Sequence, residues 1–295
     1  MFKKVIATIM AVLMATALLT GCGNSKDADL SSKGTVTIGY VNWVDVIALT
    51  NVATIILEDT MGYTVESTMA DLAPIYTSIA SGSTDVYLGT WLPLTHAAHM
   101  DKYGDDLEVL GNIYEEGVQG LTVPSYVDID SIEDLKGNEA LFNNKIIGVD
   151  PGGGIMQATE KAIEEYGLDL ELINGSDPTM TAALNKAISA NEPIIVTGWK
   201  PHWKFIKHDL KILADPKLCY GEEEKAYVIA RLGLSEEMPE VAELLANMYF
   251  TIDQLQEIIY MMDVSEKDNK DVCREWIFQN VDVVNSWLPE GYAVN

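Results

Sequence analysis

The chain has 295 residues, 48% of them apolar, and a formal net charge of −26. Apolar content at that level supplies an ample core and excludes a disordered protein, and the length admits one large or two medium domains. So acidic a chain argues against nucleic acid as a partner and against electrostatic adhesion to anionic lipid.

The N-terminus comes first in chain order. Lys3 and Lys4 precede an uncharged apolar run over 5–19 that is too short to span a bilayer comfortably, which reads as an export signal. The run closes on Leu19-Thr20-Gly21-Cys22, a segment that resembles the lipobox of bacterial lipoproteins. That resemblance implies a signal peptide at 1–21, acylation of Cys22 and anchoring through acyl chains, two of which suffice for stable attachment. The alternative is an ordinary secreted chain with an accidental Cys. Processing would remove two lysines, leaving 17 basic against 45 acidic residues, a net charge of −28. The polar, small residues that follow suit a flexible tether over 22–34.

From Gly34 onward short β-like runs alternate with amphipathic helical stretches. Strand patterns lie at 35–40, 63–68, 85–88 and 107–113, with helices at 44–61, 71–81 and 93–103 between them. A second series gives helices at 131–135, 153–166 and 179–190 and strands at 145–149, 168–173 and 193–197. Such alternation implies parallel sheets with helical crossovers. A β-prone run with two glycines, 115–124, separates the series, and a second crossing falls near 213–227. Helices at 239–249, 252–262 and 270–287 finish the chain, with Pro239, Asp253 and Asp271 placed as helix-start residues. The expected architecture is α/β with two lobes, 35–117 plus 225–295 and 118–224, and a ligand cleft between them. Two crossing segments permit hinge closure.

Three tryptophans end the apolar strand-like runs: Trp43, Trp91 and Trp199. Open α/β sheets bind ligands where strands give way to helices. Indole faces converging there could box a quaternary ammonium, which has no N–H to donate but is attracted to π density. The bland alternative for each is a core or rim tryptophan, and Trp203, Trp276 and Trp287 are read as helix-packing residues. Enzyme signatures are absent: no G-x-S-x-G, H-E-x-x-H, Walker loop or C-x-x-C. Asp128-Ile129-Asp130 lacks the glycine of an EF-hand loop. His96 and His99, three apart, are a weak metal signal. Cys219 and Cys273 could pair outside the cytosol or remain as free thiols.

The segments Gly39-Tyr40-Val41-Asn42-Trp43, Trp91-Leu92-Pro93-Leu94-Thr95-His96, Asp150-Pro151-Gly152-Gly153-Gly154-Ile155 and Gly198-Trp199-Lys200-Pro201-His202-Trp203 make the chain resemble a known family. It is similar to the substrate-binding lipoproteins of glycine betaine/proline betaine ABC importers, over essentially the whole mature chain. The resemblance implies a two-lobed periplasmic-binding-protein-like (type II) fold and a monomer that needs no cofactor. Trp43, Trp91 and Trp199 would match the prism that clamps a trimethylammonium head. His96 and the amides of Gly154, Ile155 and Gly153 would match the carboxylate partners. It further implies delivery to an ABC permease/ATPase complex, in support of osmoprotection, and no catalysis.

Residue chemistry agrees with that carry-over. Three indoles at roughly 0.5–2 kcal/mol each give on the order of 6 kcal/mol, whereas micromolar binding needs about 8 kcal/mol net. The carboxylate end must therefore add affinity. Glycines 152–154 ahead of a helix would offer free N–H groups and the helix dipole to an anion, and His96 would complete that end. His202 is a reserve candidate for the same cleft. Asp45 reads as a helix-start acid, but facing the cleft it would favour a ligand without a carboxylate. Choline, and a related choline importer, is thus the alternative ligand reading; a surface-anchored hydrolase using Asp and His is a remote one.

Overall fold

The structure, a computed structural model, describes residues 33–295. The expected export signal, Cys22 and nearly all of the tether lie outside the described residues.

Strand β1 (Thr35–Tyr40) pairs in parallel with β2 (Thr64–Met69) and, at Ile38 and Val86, with β3 (Val86–Leu92). The connections are helical: α1 (Val44–Ile55), continued by a wider π turn at Ile56–Thr60, and α2 (Leu72–Ala80). In α1 apolar and small residues occupy nearly every position, so it is buried almost all round. The helix expected over 93–103 shortens to α3 (Ala97–Tyr103), because the Pro93–His96 stretch turns instead.

The two β-prone runs expected at 107–113 and 115–124 form one strand, β4 (Leu107–Pro124). Beyond it come β5 (Lys145–Ile147), α4 (Gly154–Tyr166), β6 (Glu171–Ile173), α5 (Asp177–Ala190), β7 (Val196–Lys200), α6 (Lys204–Lys207), β8 (Leu210–Ile212) and β9 (Glu224–Arg231). Helices α7 (Leu234–Glu237), α8 (Pro239–Asn247), α9 (Ile252–Val264), α10 (Asn269–Gln279) and α11 (Val281–Asn285) follow. The expected helix over 270–287 is thus interrupted at Asn280. Helices α9 and α10 pack on α1, and Trp276 and Trp287 stack near Phe250 in the core. Helix starts carry their own acceptors: Ser176 caps α5, Thr251 caps α9 and Asp268 caps α10.

The sheet order is β2-β1-β3-β9-β4-β7-β5-β6, with β8 also on β4. It is mixed, not purely parallel. Strand β9 runs antiparallel to both β3 and β4, while β4 runs antiparallel to β7 and β8. Alternating helix and strand patterns report crossovers but carry no signal for a strand that returns between two others. Along β4 the partner changes: Leu107 to Gly117 pair with β9, and Val118 to Thr122 with β7. Two details of the sheet bear on Trp91. A register shift leaves Gly89, with φ of 134°, as an extra residue that re-phases the strand two positions ahead of it. Gly117 lies where a Cβ would crowd the Trp91 ring at 3.0 Å. Cys219 and Cys273 are both buried and free.

Candidate ligand-binding site

Trp43 occupies the N-cap position of α1, with extended backbone, and Trp91 and Trp199 sit near the ends of β3 and β7. Each indole N–H is held by a protein acceptor. Trp43 Nε1 donates to Asp150 Oδ2 at 3.2 Å, Trp91 Nε1 to the Tyr114 hydroxyl at 2.7 Å and Trp199 Nε1 to Asp45 Oδ1 at 3.3 Å. The Tyr114 hydroxyl in turn donates to Asp45 Oδ2 at 3.0 Å. With their polar edges engaged, the three indoles have ring surface left to offer. Trp43 and Trp199 lie with centroids 6.5 Å apart and planes inclined by 57°.

These rings line one cavity together with Asp45, Thr95, His96, Gln119, Val149, Gly154 and Ile155. It holds about 360 Å³ of non-atom space, part of it open to solvent. Asp45 is 1% exposed, and burial raises its carboxyl to about 6 against the opposing hydrogen bonds from Tyr114 and Trp199. It is both a first-turn acid of α1 and a wall of the cavity.

His96 is fully buried, and desolvation, helped by nearby His99, lowers it to about 3, so the ring is neutral. Its Nδ1 accepts the Trp91 amide N–H at 2.9 Å, which puts the ring proton on Nε2. That Nε2–H is buried without a partner among the described residues. A buried unsatisfied donor costs about 1–3 kcal/mol, so an acceptor brought to this N–H would be favoured.

Helix α4 adds further donors. The Gly153 N–H is engaged by the Asp150 carbonyl at 2.9 Å, while Gly154 and Ile155, the first residues of the helix, have no acceptor for theirs among the described residues. The Gly154 backbone lies so close to the Thr95 carbonyl oxygen that any Cβ would collide with it. The structure thus brings together Trp43, Trp91, Trp199, Asp45, His96, Gly154 and Ile155. A Cβ on Gly153 would meet the Trp43 ring at 3.4 Å, but Gly153 does not line the cavity.

His202 is not in the wall either. Its Nδ1 accepts the Lys204 amide at 3.1 Å, its Nε2 is bonded to Asp177 Oδ1 at 3.0 Å, and its ring stands edge-on to Trp199. Burial lowers His202 to about 4, leaving it a neutral donor to Asp177. Lys204, also fully buried, holds Nζ 4.1 Å from the Trp199 ring centroid, and burial lowers it to about 8 against the pull of Asp177 and Asp45. Sequence reasoning did not single out Tyr114, Thr95, Gln119 or Lys204 for the site. Thr95 lies inside a named segment and Lys204 directly follows one, but Gln119 sits in a plain β pattern and Tyr114 between two such runs. Among the described residues no cluster of three or more His, Cys, Asp or Glu could hold a metal.

Residues 34–279 match the family described as the substrate binding domain of ABC-type glycine betaine transport systems. The chain belongs to that family. Its α/β architecture matches binding proteins of the two-lobed periplasmic type. Lactococcal OpuAC, solved closed with glycine betaine, is 35% identical, with 87% of this chain and 100% of that one covered and a TM-score of 0.82. A choline binding protein of an ABC transporter, solved with choline, is 25% identical, covering 86% and 91%, with a TM-score of 0.78. The glycine betaine/carnitine transport binding protein GbuC of Listeria monocytogenes is 42% identical over 150 residues. That match spans 50% of this chain and 49%, about half, of the length of GbuC. Substrate-binding components of ABC importers work outside the cytoplasm. Among the described residues, no helix is long and apolar enough to cross a membrane.

Proposed function

We propose that this chain captures glycine betaine, or a close betaine analogue, outside the cytoplasm and hands it to an ABC permease complex for osmoprotectant uptake. The observation that carries the reading is the pairing, in one cavity, of cation-attracting and anion-attracting groups. Trp43, Trp91, Trp199 and buried Asp45 suit a quaternary ammonium. The unpartnered Nε2–H of His96 and the free amides of Gly154 and Ile155 suit a carboxylate, helped by the N-terminal dipole of α4. The ammonium is the only part of a betaine that aromatic faces can hold, and its carboxylate can satisfy all three donors at once.

The lobes of the reading are 35–117 with 225–295, and 118–224. Trp43, Asp45, Trp91 and His96 then come from one lobe and Gly154, Ile155 and Trp199 from the other, so a bound ligand would fasten the two. Acylation of Cys22 would hold the mature protein at the membrane as a monomer, without a cofactor. Choline remains the second reading, because Asp45 does face the cavity. Titration calorimetry decides between them. Glycine betaine binding well ahead of choline supports the first reading, and the reverse order sinks it.

A further inference from the structure

Glu224 takes no part in the cavity wall, yet it is 2% exposed and gathers hydrogen bonds around the segment that carries His96. Its Oε2 accepts the amide N–H of Leu94 at 2.7 Å and of Thr95 at 2.9 Å. Its Oε1 accepts the Thr95 hydroxyl and, at 3.4 Å, Gln119 Nε2–H. Gln119 Nε2 also donates to Thr95 Oγ1 at 2.6 Å. Glu224 opens β9 opposite Gly117, and Gln119 lies on β4 just past the point where that strand changes partner. One carboxylate therefore ties the Leu94–Thr95 turn to both strands near that junction.

The turn matters on both its sides. His96 follows it directly and presents the unpartnered Nε2–H. The Thr95 carbonyl abuts Gly154, where the free amides of α4 begin. An ionised carboxylate gathering two successive backbone N–H groups makes strong, directional bonds that a neutral side chain cannot reproduce. The ammonium end is held by other contacts, through Asp45, Tyr114 and Asp150.

We propose that Glu224 is the positioning residue for the carboxylate half of the site, acting through Thr95 on the placement of His96 and of the Gly154 and Ile155 amides. Glu224 does not touch the ligand. The role rests on the betaine reading above. Its signature is selective: disturbing Glu224 harms recognition of a ligand's carboxylate and spares recognition of its ammonium.

The test is calorimetric titration of the full chain with glycine betaine and with tetramethylammonium, comparing wild type, Glu224→Gln and Glu224→Asp. Loss of the charged acceptor should weaken glycine betaine by about tenfold or more and tetramethylammonium by less than about threefold. Glu224→Asp keeps the charge on a shorter arm and should show a smaller loss with the same selectivity; it carries the comparison alone if Glu224→Gln does not fold. Equal losses for the two ligands, or none, overturn the proposal. A wild type that binds tetramethylammonium but not glycine betaine overturns the betaine reading itself, and this role with it.

Discussion

Trp199 donates its indole N–H to the buried carboxylate of Asp45 at 3.3 Å, so a ring suited to a cation is fastened to a charge suited to the same cation. Asp45 also takes the Tyr114 hydroxyl, which in turn holds Trp91. One carboxylate thereby fixes two of the three indoles. Sequence reasoning held Asp45 as a helix-start acid and a reserve candidate for the cleft; it lines the cavity and accepts from both Tyr114 and Trp199.

The indoles themselves should supply measurable affinity. Trp91→Ala and Trp199→Ala are each expected to weaken glycine betaine binding by at least ~1 kcal/mol, read by calorimetry. If both variants keep wild-type affinity, the cage assignment is wrong.

His96 should matter to the other end of the ligand. His96→Ala is expected to reduce the affinity for glycine betaine more than that for choline, because the former offers Nε2–H a charged carboxylate and the latter only a neutral hydroxyl oxygen. Equal reductions would remove its role at the carboxylate.

Binding should respond to acid through Asp45. A quaternary ammonium favours ionised Asp45, so affinity is expected to fall as pH drops below about 6, where the carboxyl takes up its proton. His96 and His202, held down to about 3 and about 4, stay neutral through that window. Asp45→Asn should weaken binding at pH 7 and remove this dependence. A wild-type affinity unchanged between pH 7 and pH 5 would count against Asp45 as a ligand group.

The same residue should cost stability in the unliganded protein. Its carboxyl is raised above the unfolded value of 3.8, so the native state holds the proton more tightly. The Asp45 contribution to stability is therefore expected to fall as pH rises from 3.8 to about 6, with its full loss present above that. Asp45→Asn should recover up to ~3 kcal/mol at pH 7, less whatever its hydrogen bonds contributed. Denaturant unfolding of the two proteins at pH 4 and pH 7 measures it, and a variant less stable at pH 7 contradicts the expectation.

Backbone closeness at α4 gives a steric test. In an isolated helix Gly→Ala gains about 1 kcal/mol, yet Gly154→Ala drives a methyl into the Thr95 carbonyl. Roughly 5- to 100-fold weaker binding is expected from such overpacking. Gly152→Ala, whose Cβ meets nothing within 4 Å, should bind as wild type does. Similar behaviour of the two variants would show that the Thr95 contact is immaterial.

Much of this site was legible in the linear sequence, because quaternary ammonium recognition needs aromatic rings and amide capture needs glycine ahead of a helix. Trp43, Trp91, Trp199, His96, Gly154 and Ile155 stood out on those grounds together with the family resemblance, and all of them line the cavity. Gly153 and His202 shared the same local patterns, but their hydrogen bonds are used within the protein. Local pattern cannot tell a free N–H from an engaged one, since the acceptor is set by the turn geometry. Tyr114, Gln119 and Glu224 were silent for another reason. Each sits in or beside an ordinary β pattern, and its partners are 69, 24 and 130 residues away in Asp45, Thr95 and Leu94.

The sequence by itself determined the alternation of helices and strands, three tryptophans at strand ends and a glycine run ahead of a helix, since these follow from periodicity and side-chain chemistry. Tertiary structure alone decided that β9 runs back between β3 and β4, that Asp45 faces the cavity and that His96 keeps one N–H without a partner among the described residues. Those are properties of long-range pairing and burial. They come into being only when residues far apart in the chain exclude water from one another.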